Sequence, residues 1–239
     1  FVVLQLRSKS PFLEFRNFKT KYFSMALFTN TTVHLSMLTI FTMVPILIEG
    51  GLGKAQVVVS MVLFVHQSFG LFVTPIAGML YDRYHSRLMA PISMFMIAMG
   101  ISLMGFFSAI VPVWALPLLL LPASIGTSMF ISPWNAVVMN SLQEDRSFAS
   151  GMLETTRQMG HTVGVTIGAT VIGLSLPLTI NLLPAVEAQA YYRQGFQMAA
   201  LIVVWIIIAG GITSIFQKMP GNEREGIPAN AAPQTGGDG

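Results

Sequence analysis

Within long apolar runs of this 239-residue chain, a few polar side chains recur at helical spacing. Asn30 and His34 stand four apart, about one turn of helix, and so share a face. Gln67, Gly70 and Thr74 make a second stripe, with His66 beside it. Ser124, Ser128, Ser132 and Asn135 make a third, spaced four, four and three. Such groups can hold a ligand in a wet cavity or bond one helix to the next. An unpaired polar atom in an apolar medium costs on the order of several kcal/mol, so each should have a partner or a task. His34 also brings an imidazole whose ordinary pKa, about 6.5, makes proton sensing chemically possible. Glu154 and Arg157, three apart, can pair on one helix, with Gln158 next to them. Asp and Glu are otherwise missing from the apolar runs, so no buried acid is there to relay a proton. That favours a cavity-shaping part for His34 over a proton-carrying one.

Enzyme chemistry finds little support. There is no glycine-rich phosphate loop with its lysine, no pair of histidines at ligand spacing, no carboxylate cluster and no nucleophile elbow. Histidines 34, 66, 85 and 161 share no metal-binding spacing. With no cysteine, thiolate metal sites, disulfides and a cysteine nucleophile are excluded for these residues. The expectation is a non-enzyme without metal or cofactor.

The elements that must position these residues are helices in a bilayer. Hydrophobic residues make up 53% of the chain and charged ones only 10%, with a mean hydropathy of +0.67. A soluble domain carries about 25% charged residues, so lipid is the solvent that fits. Six segments approach or exceed the roughly 20 residues needed to cross: 24–47, 57–80, 88–110, 115–139, 156–178 and 196–216. Glu49, Gly50, Gly51, Leu52 and Gly53 make a turn after the first, Val111 and Pro112 part the third from the fourth, and Gln143 to Ser147 part the fourth from the fifth. Residues 179–195 read as the longest loop, with Tyr191 and Tyr192 as an interfacial anchor. Gly160, Gly164 and Gly168 recur every four residues, a spacing that lets helix backbones touch. The chain thus divides into a basic segment at 1–23, a six-helix bundle at 24–217 and a disordered tail at 218–239, rich in Pro, Gly, Asn and Ala.

Basic residues sort by side. With both termini in the cytoplasm, Arg7, Lys9, Arg16, Lys19, Lys21, Arg83, Arg87, Arg146, Arg157, Lys218 and Arg224 lie inside, and only Lys54 and Arg193 outside. This is a strong positive-inside asymmetry. The basic run next to the first span reads as an anchor for anionic lipid headgroups rather than a nucleic-acid site.

The sharpest local signal follows the second span: Gly78, Leu80, Asp82, Arg83 and Arg87, in the run GMLYDRYHSR. A glycine permits close helix approach, and an Asp beside basic residues can cap the next helix or pair with neighbours. This run resembles the loop motif of the major facilitator superfamily, in the degenerate form of that family's second half; His85 replaces the motif's second glycine. The run from Ala149 to Gly160, ASGMLETTRQMG, is similar to the stretch entering the penultimate helix of 14-span drug:proton antiporters. Pro11 to Phe18 is similar to the run before their ninth helix.

The resemblance covers about residues 11–216. It implies an all-α integral membrane fold of twelve or fourteen helices in two bundles, each an inverted pair of three-helix repeats, of which this chain supplies the C-terminal bundle. The chain starts at Phe1, and the expected partner is an N-terminal part of six to eight helices belonging to the same polypeptide. The family's first and fourth helices of each bundle line the central cavity, which places Asn30, His34, Ser128, Ser132 and Asn135 near substrate, with Gln67 close by. The fifth helix flanks the other bundle, giving Glu154, Arg157, Gln158 and the three glycines a packing or gating part. Gly78, Asp82, Arg83 and Arg87 take the part of a conformational switch. The family's proton carriers lie in the other bundle. The function implied is proton-coupled efflux of amphiphilic small molecules by alternating access across the plasma membrane. Two alternatives stand: a facilitator for a metabolite or siderophore, and a six-span sensor or scaffold that transports nothing.

Overall fold

The computed structural model describes residues 21–84, 88–141 and 146–216, and within them the chain forms six long helices and no strand. They are α1 (Lys21–Ile46), α2 (Gln56–Tyr84), α3 (Met89–Phe107), α4 (Leu116–Ser141), α5 (Arg146–Ser175) and α6 (Ala185–Ile215). Five of them, all but α5, are long and apolar enough to cross a membrane. The basic segment 1–20, loop residues 85–87 with Arg87, residues 142–145 and the tail from 217 lie outside the described residues.

Packing is helix on helix around one apolar core. α1 packs against α5 and α6, α4 packs against α2 and α3, and α3 packs against α6. Phe23, Met43, Leu47 and Ile48 from the α1 segment, Met94, Ile97 and Met104 from α3, and Leu120 from α4 are almost wholly enclosed. In the membrane-length window of α1, 61% is buried; in that of α2, 17%. So α1 is interior, and α2 turns a broad apolar face outward, with Phe64, Leu71 and Phe72 exposed. A hydrophobic side chain facing outward costs little in lipid, which is why outside and inside are similarly apolar here.

Several boundaries differ from the hydropathy reading. The turn at Glu49 is not a simple loop: α1 runs on through a π-helical turn, Leu47–Gly51, and the chain reverses at Gly53, where φ is +61°. A side chain is strained at that φ, and glycine is not. Most of the loop expected at 179–195 is helix, because α6 begins at Ala185, directly after Pro184. The segment AVEAQAYYRQGFQ contains good helix formers but too many polar groups to register as a span, so the helix continues beyond its apolar part. Tyr192 meets the turn at Gly50, where a Cβ would lie 2.8 Å from its ring. α5 likewise starts early, at Arg146, and ends at Ser175, two residues before Pro177.

α5 falls short of the apolar threshold because Glu154, Gln158, Thr162 and Thr166 form a polar strip on its exposed side. The hydroxyls of Thr155, Thr162 and Thr166 each donate to the carbonyl one turn earlier, at 2.8–3.0 Å. Such bonds are the usual way a helix accommodates threonine.

Candidate functional site

The polar residues of the apolar runs gather in two seams. In the α1–α5 seam, Asn30 is 2% exposed, and its Nδ2 donates to the Leu153 carbonyl (3.2 Å) and to Thr156 Oγ1 (3.0 Å). His34 is one turn along, its ring edge-to-face with His161 at 5.2 Å. Further on, Thr39 Oγ1 donates to the Leu35 and Gly164 carbonyls, at 2.8 and 3.1 Å. The helices approach this closely because α5 presents glycine. A Cβ on Gly160 would collide with the Thr31 carbonyl, one on Gly164 with the Leu35 carbonyl, and one on Gly168 would lie 2.9 Å from Met43.

The α2–α4 seam repeats the theme. Ser124 Oγ donates to the carbonyl of His66, whose ring lies against Phe41. Ser128 is buried beside Gly70, where a Cβ would lie 2.9 Å from its hydroxyl. Asn135 is half-buried, Gln67 is exposed on α2, and the side chain of Ser132 lies outside the described residues. The shared faces read from spacing are therefore present, but Asn30 and His34 point into α5 while Ser124 and Ser128 point into α2. The structure does not bring the two sets together.

More than two turns into α5 the Arg157 guanidinium lies 3.2 Å from a Glu154 oxygen, and the Gln158 amide donates to the other oxygen at 2.7 Å. Glu154, Gln158, Met159, Thr162 and Val163 share one exposed face of α5 that is lined by no other element among the described residues. At the end of α2, Gly78 is half-buried and Asp82 and Arg83 are exposed. Leu88 occupies the cap position of α3, where no side-chain capping bond is found among the described residues, and loop residues 85–87 between it and Asp82 lie outside them. The Asp82 carboxylate sits at the C-terminal end of α2, the unfavourable end of a helix dipole for an anion.

His161 was invisible as a site residue from spacing, although it lies four residues after Arg157 on the same face. Trp134 was also missed; its indole N–H donates to the Ala26 carbonyl at 3.2 Å and ties α4 to α1.

Six helices with paired polar seams occur in more than one kind of membrane protein, and sequence comparison decides between them. The pattern defining the Major Facilitator Superfamily matches residues 4–165. The chain belongs to that superfamily. Among similar superfamily members, the uncharacterized transporter YebQ of Escherichia coli (strain K12) is 27% identical over 174 residues, 71% of this chain and 37% of that protein. The multidrug resistance protein Stp of Mycobacterium tuberculosis (strain ATCC 25618 / H37Rv) is 23% identical over 182 residues, 76% of this chain and 34% of that protein. The lincomycin resistance protein LmrB of Bacillus subtilis (strain 168) is 24% identical over 227 residues, 91% of this chain and 47% of that protein. The chain thus spans less than half the length of these superfamily relatives.

For a superfamily bundle, removal of the Asn30 amide is a direct test of the α1–α5 seam. Asn30→Leu keeps the bulk but removes both donations into α5. It should lower stability by about 1–2 kcal/mol, read as a lowered Tm of the complete protein in detergent. An unchanged Tm would mean that the two bonds contribute nothing net.

Proposed function

We propose that this chain is the C-terminal bundle of a proton-coupled efflux transporter that carries amphiphilic small molecules out of the cytoplasm by alternating access. The observation that carries the reading is the uncovered face of α5, where apolar Met159 and Val163 stand beside Glu154 and Gln158 on a helix otherwise packed into the bundle; in this reading a second body faces it. That body is an N-terminal bundle of the same polypeptide. Mixed polar and apolar lining suits amphiphiles. The printed names of Stp and LmrB, resistance proteins, point the same way.

In this reading all six helices cross the plasma membrane, both termini of the segment face the cytoplasm, and the bundle is two inverted three-helix repeats, α1–α3 and α4–α6. The pairing supports it. A two-fold exchanging the repeats turns the α1–α5 seam into the α4–α2 seam and the α1–α6 contact into the α4–α3 contact, and leaves α3–α6 in place; all of these contacts occur. The chemistry is exchanged too. Thr39 of α1 donates to the carbonyl of Gly164 on α5, and Ser124 of α4 to a carbonyl of α2 one turn before Gly70.

The test is transport by the complete protein. Expressed in a bacterium lacking its own pumps, it should lower the accumulation of a lipophilic fluorescent amine, and dissipating the proton gradient should abolish that effect. Single cysteines at the exposed Lys54 and at Gly239 should label from outside and inside respectively. Accumulation equal to that of empty cells across a panel of amphiphiles would sink the efflux reading, and labelling of both cysteines from one side would sink the topology.

A further inference from the structure

The fold joins two histidines that the sequence keeps far apart. His34 of α1 and His161 of α5 meet across the seam with ring centroids 5.2 Å apart and planes at 79°. His34 is 4% exposed. His34 Nδ1 and His161 Nε2 are both buried, and neither has a hydrogen-bond partner among the described residues; nor has Arg157 Nε, one turn before His161. A neutral imidazole keeps one ring nitrogen as an acceptor, so two such rings offer a place for a proton.

The charged surroundings are few. On α5 the Arg157 guanidinium is matched by Glu154, whose oxygens are also engaged by Gln158. α3 and α4, which also contact α1, contain no Asp, Glu, Lys, Arg, His or Tyr. α2 brings His66, which faces Phe41, and Tyr81, Asp82, Arg83 and Tyr84 at its far end. The titratable groups of α6, Glu187, Tyr191, Tyr192 and Arg193, lie at its start, where Tyr192 meets Gly50. α1 itself adds Lys21 and Tyr22 at its beginning, and Glu49 follows in the π turn.

We propose that His34 and His161 form one shared proton-binding site across the α1–α5 seam, and that its occupancy sets how tightly the seam closes. The pair takes one proton and resists a second, because two imidazolium rings this close, beside Arg157, repel strongly. The first proton turns a ring acceptor into a donor. The new donor can be taken up by the free nitrogen of the other ring, which has no hydrogen bond in the present edge-to-face arrangement. Either one ring must therefore turn or the seam must admit water. Either change loosens a contact in which glycine backbones touch and which Asn30 on one side and Thr39 on the other hold shut. Proton binding and seam opening are then one two-state equilibrium. The site stands independently of transport. Its use in coupling rests on the transporter reading, and it gives that reading an intramembrane proton acceptor where no acid was found.

The experiment follows the ring signals of isotope-labelled histidine by NMR in the complete protein, across roughly pH 3 to 8. In parallel, Leu35→Cys in a cysteine-free background places a thiol in the buried seam. The two rings should titrate together, in two steps at least about one unit apart. His161→Gln, at a half-exposed position and so tolerated by the fold, should leave His34 with a single step. An exposed control cysteine at Lys54, measured at the same pH, removes the ordinary fall in thiolate fraction. Relative to that control, the thiol should react with a small water-soluble reagent about tenfold faster on the acid side of the first step; His34→Gln and His161→Gln should each remove that acceleration. Rings that titrate independently, or a thiol reactivity that stays level across the first step relative to the exposed control cysteine, overturn the proposal. Efflux measured on the same samples separates the two readings: a coupled pair in a protein that moves nothing keeps the site and removes transport, and efflux with independent rings does the reverse.

Discussion

Gly164→Leu is expected to leave almost no folded protein. A Cβ at this position would overlap the backbone carbonyl of Leu35, and no rotamer change moves a backbone atom. The two helices must part along the whole seam, which breaks the Thr39 bond to the Gly164 carbonyl and strips the packing around Gly160 and Gly168. Overpacking a core costs about 1–3 kcal/mol when flexible side chains absorb it; here backbone would have to, so about 3 kcal/mol is the lower end. Gly173→Ala is the matched control on the same helix, since nothing lies within 4 Å of its added Cβ. It should be neutral, or stabilising by up to about 1 kcal/mol from helix propensity. Expression level and Tm of the complete protein in detergent measure both. Equal behaviour of the two variants would show that α1 and α5 are not in backbone contact.

Asp82→Asn is expected to reduce efflux by the complete transporter at least about tenfold while leaving insertion and Tm unchanged or slightly improved. The sign of the stability effect carries the argument. The carboxylate is exposed at the C-terminal end of α2, where it opposes the helix dipole at a cost of about 0.3–1 kcal/mol. Removing its charge therefore relieves the bundle. A loss of transport then belongs to the conformational cycle, through charge-assisted bonds worth about 1.5–3 kcal/mol each to partners met during it. Wild-type efflux in this variant would make Asp82 an ordinary loop charge.

Much of this architecture was legible from hydropathy, because the apolar runs coincide with the lipid-facing and core-facing surfaces of five helices. Helix ends were less legible, as α6 shows: hydropathy registers where lipid begins, and Glu187, Gln189 and Arg193 continue the helix beyond it. α5 was read from its apolar stretch as the span 156–178, although the whole helix is less apolar than the other five. Within single helices the four-residue spacing placed Asn30 with His34 and Ser124 with Ser128 correctly on shared faces. Which neighbour those faces meet was not readable. It is set by Gly160 and Gly164 on α5 and by Gly70 on α2, where absent side chains let backbones approach, and spacing along one helix does not identify a partner on another. His161 was hidden for the same reason. It becomes a candidate only when α5 lies against α1.

The inward-bonded threonines of α5 change how its insertion should be weighed. Hydropathy scales charge each threonine for a hydroxyl that needs water. In this helix the hydroxyls of Thr155, Thr156, Thr162 and Thr166 are each supplied with an acceptor by their own backbone. An acyl chain or a facing helix would largely meet their methyl groups. The desolvation charged against the segment is thus mostly settled within the helix before it enters the bilayer. The charged groups in its middle turns, Glu154 and Arg157, are likewise engaged with each other and with Gln158, so the ring of His161 stands out as a polar group of this helix without a partner among the described residues.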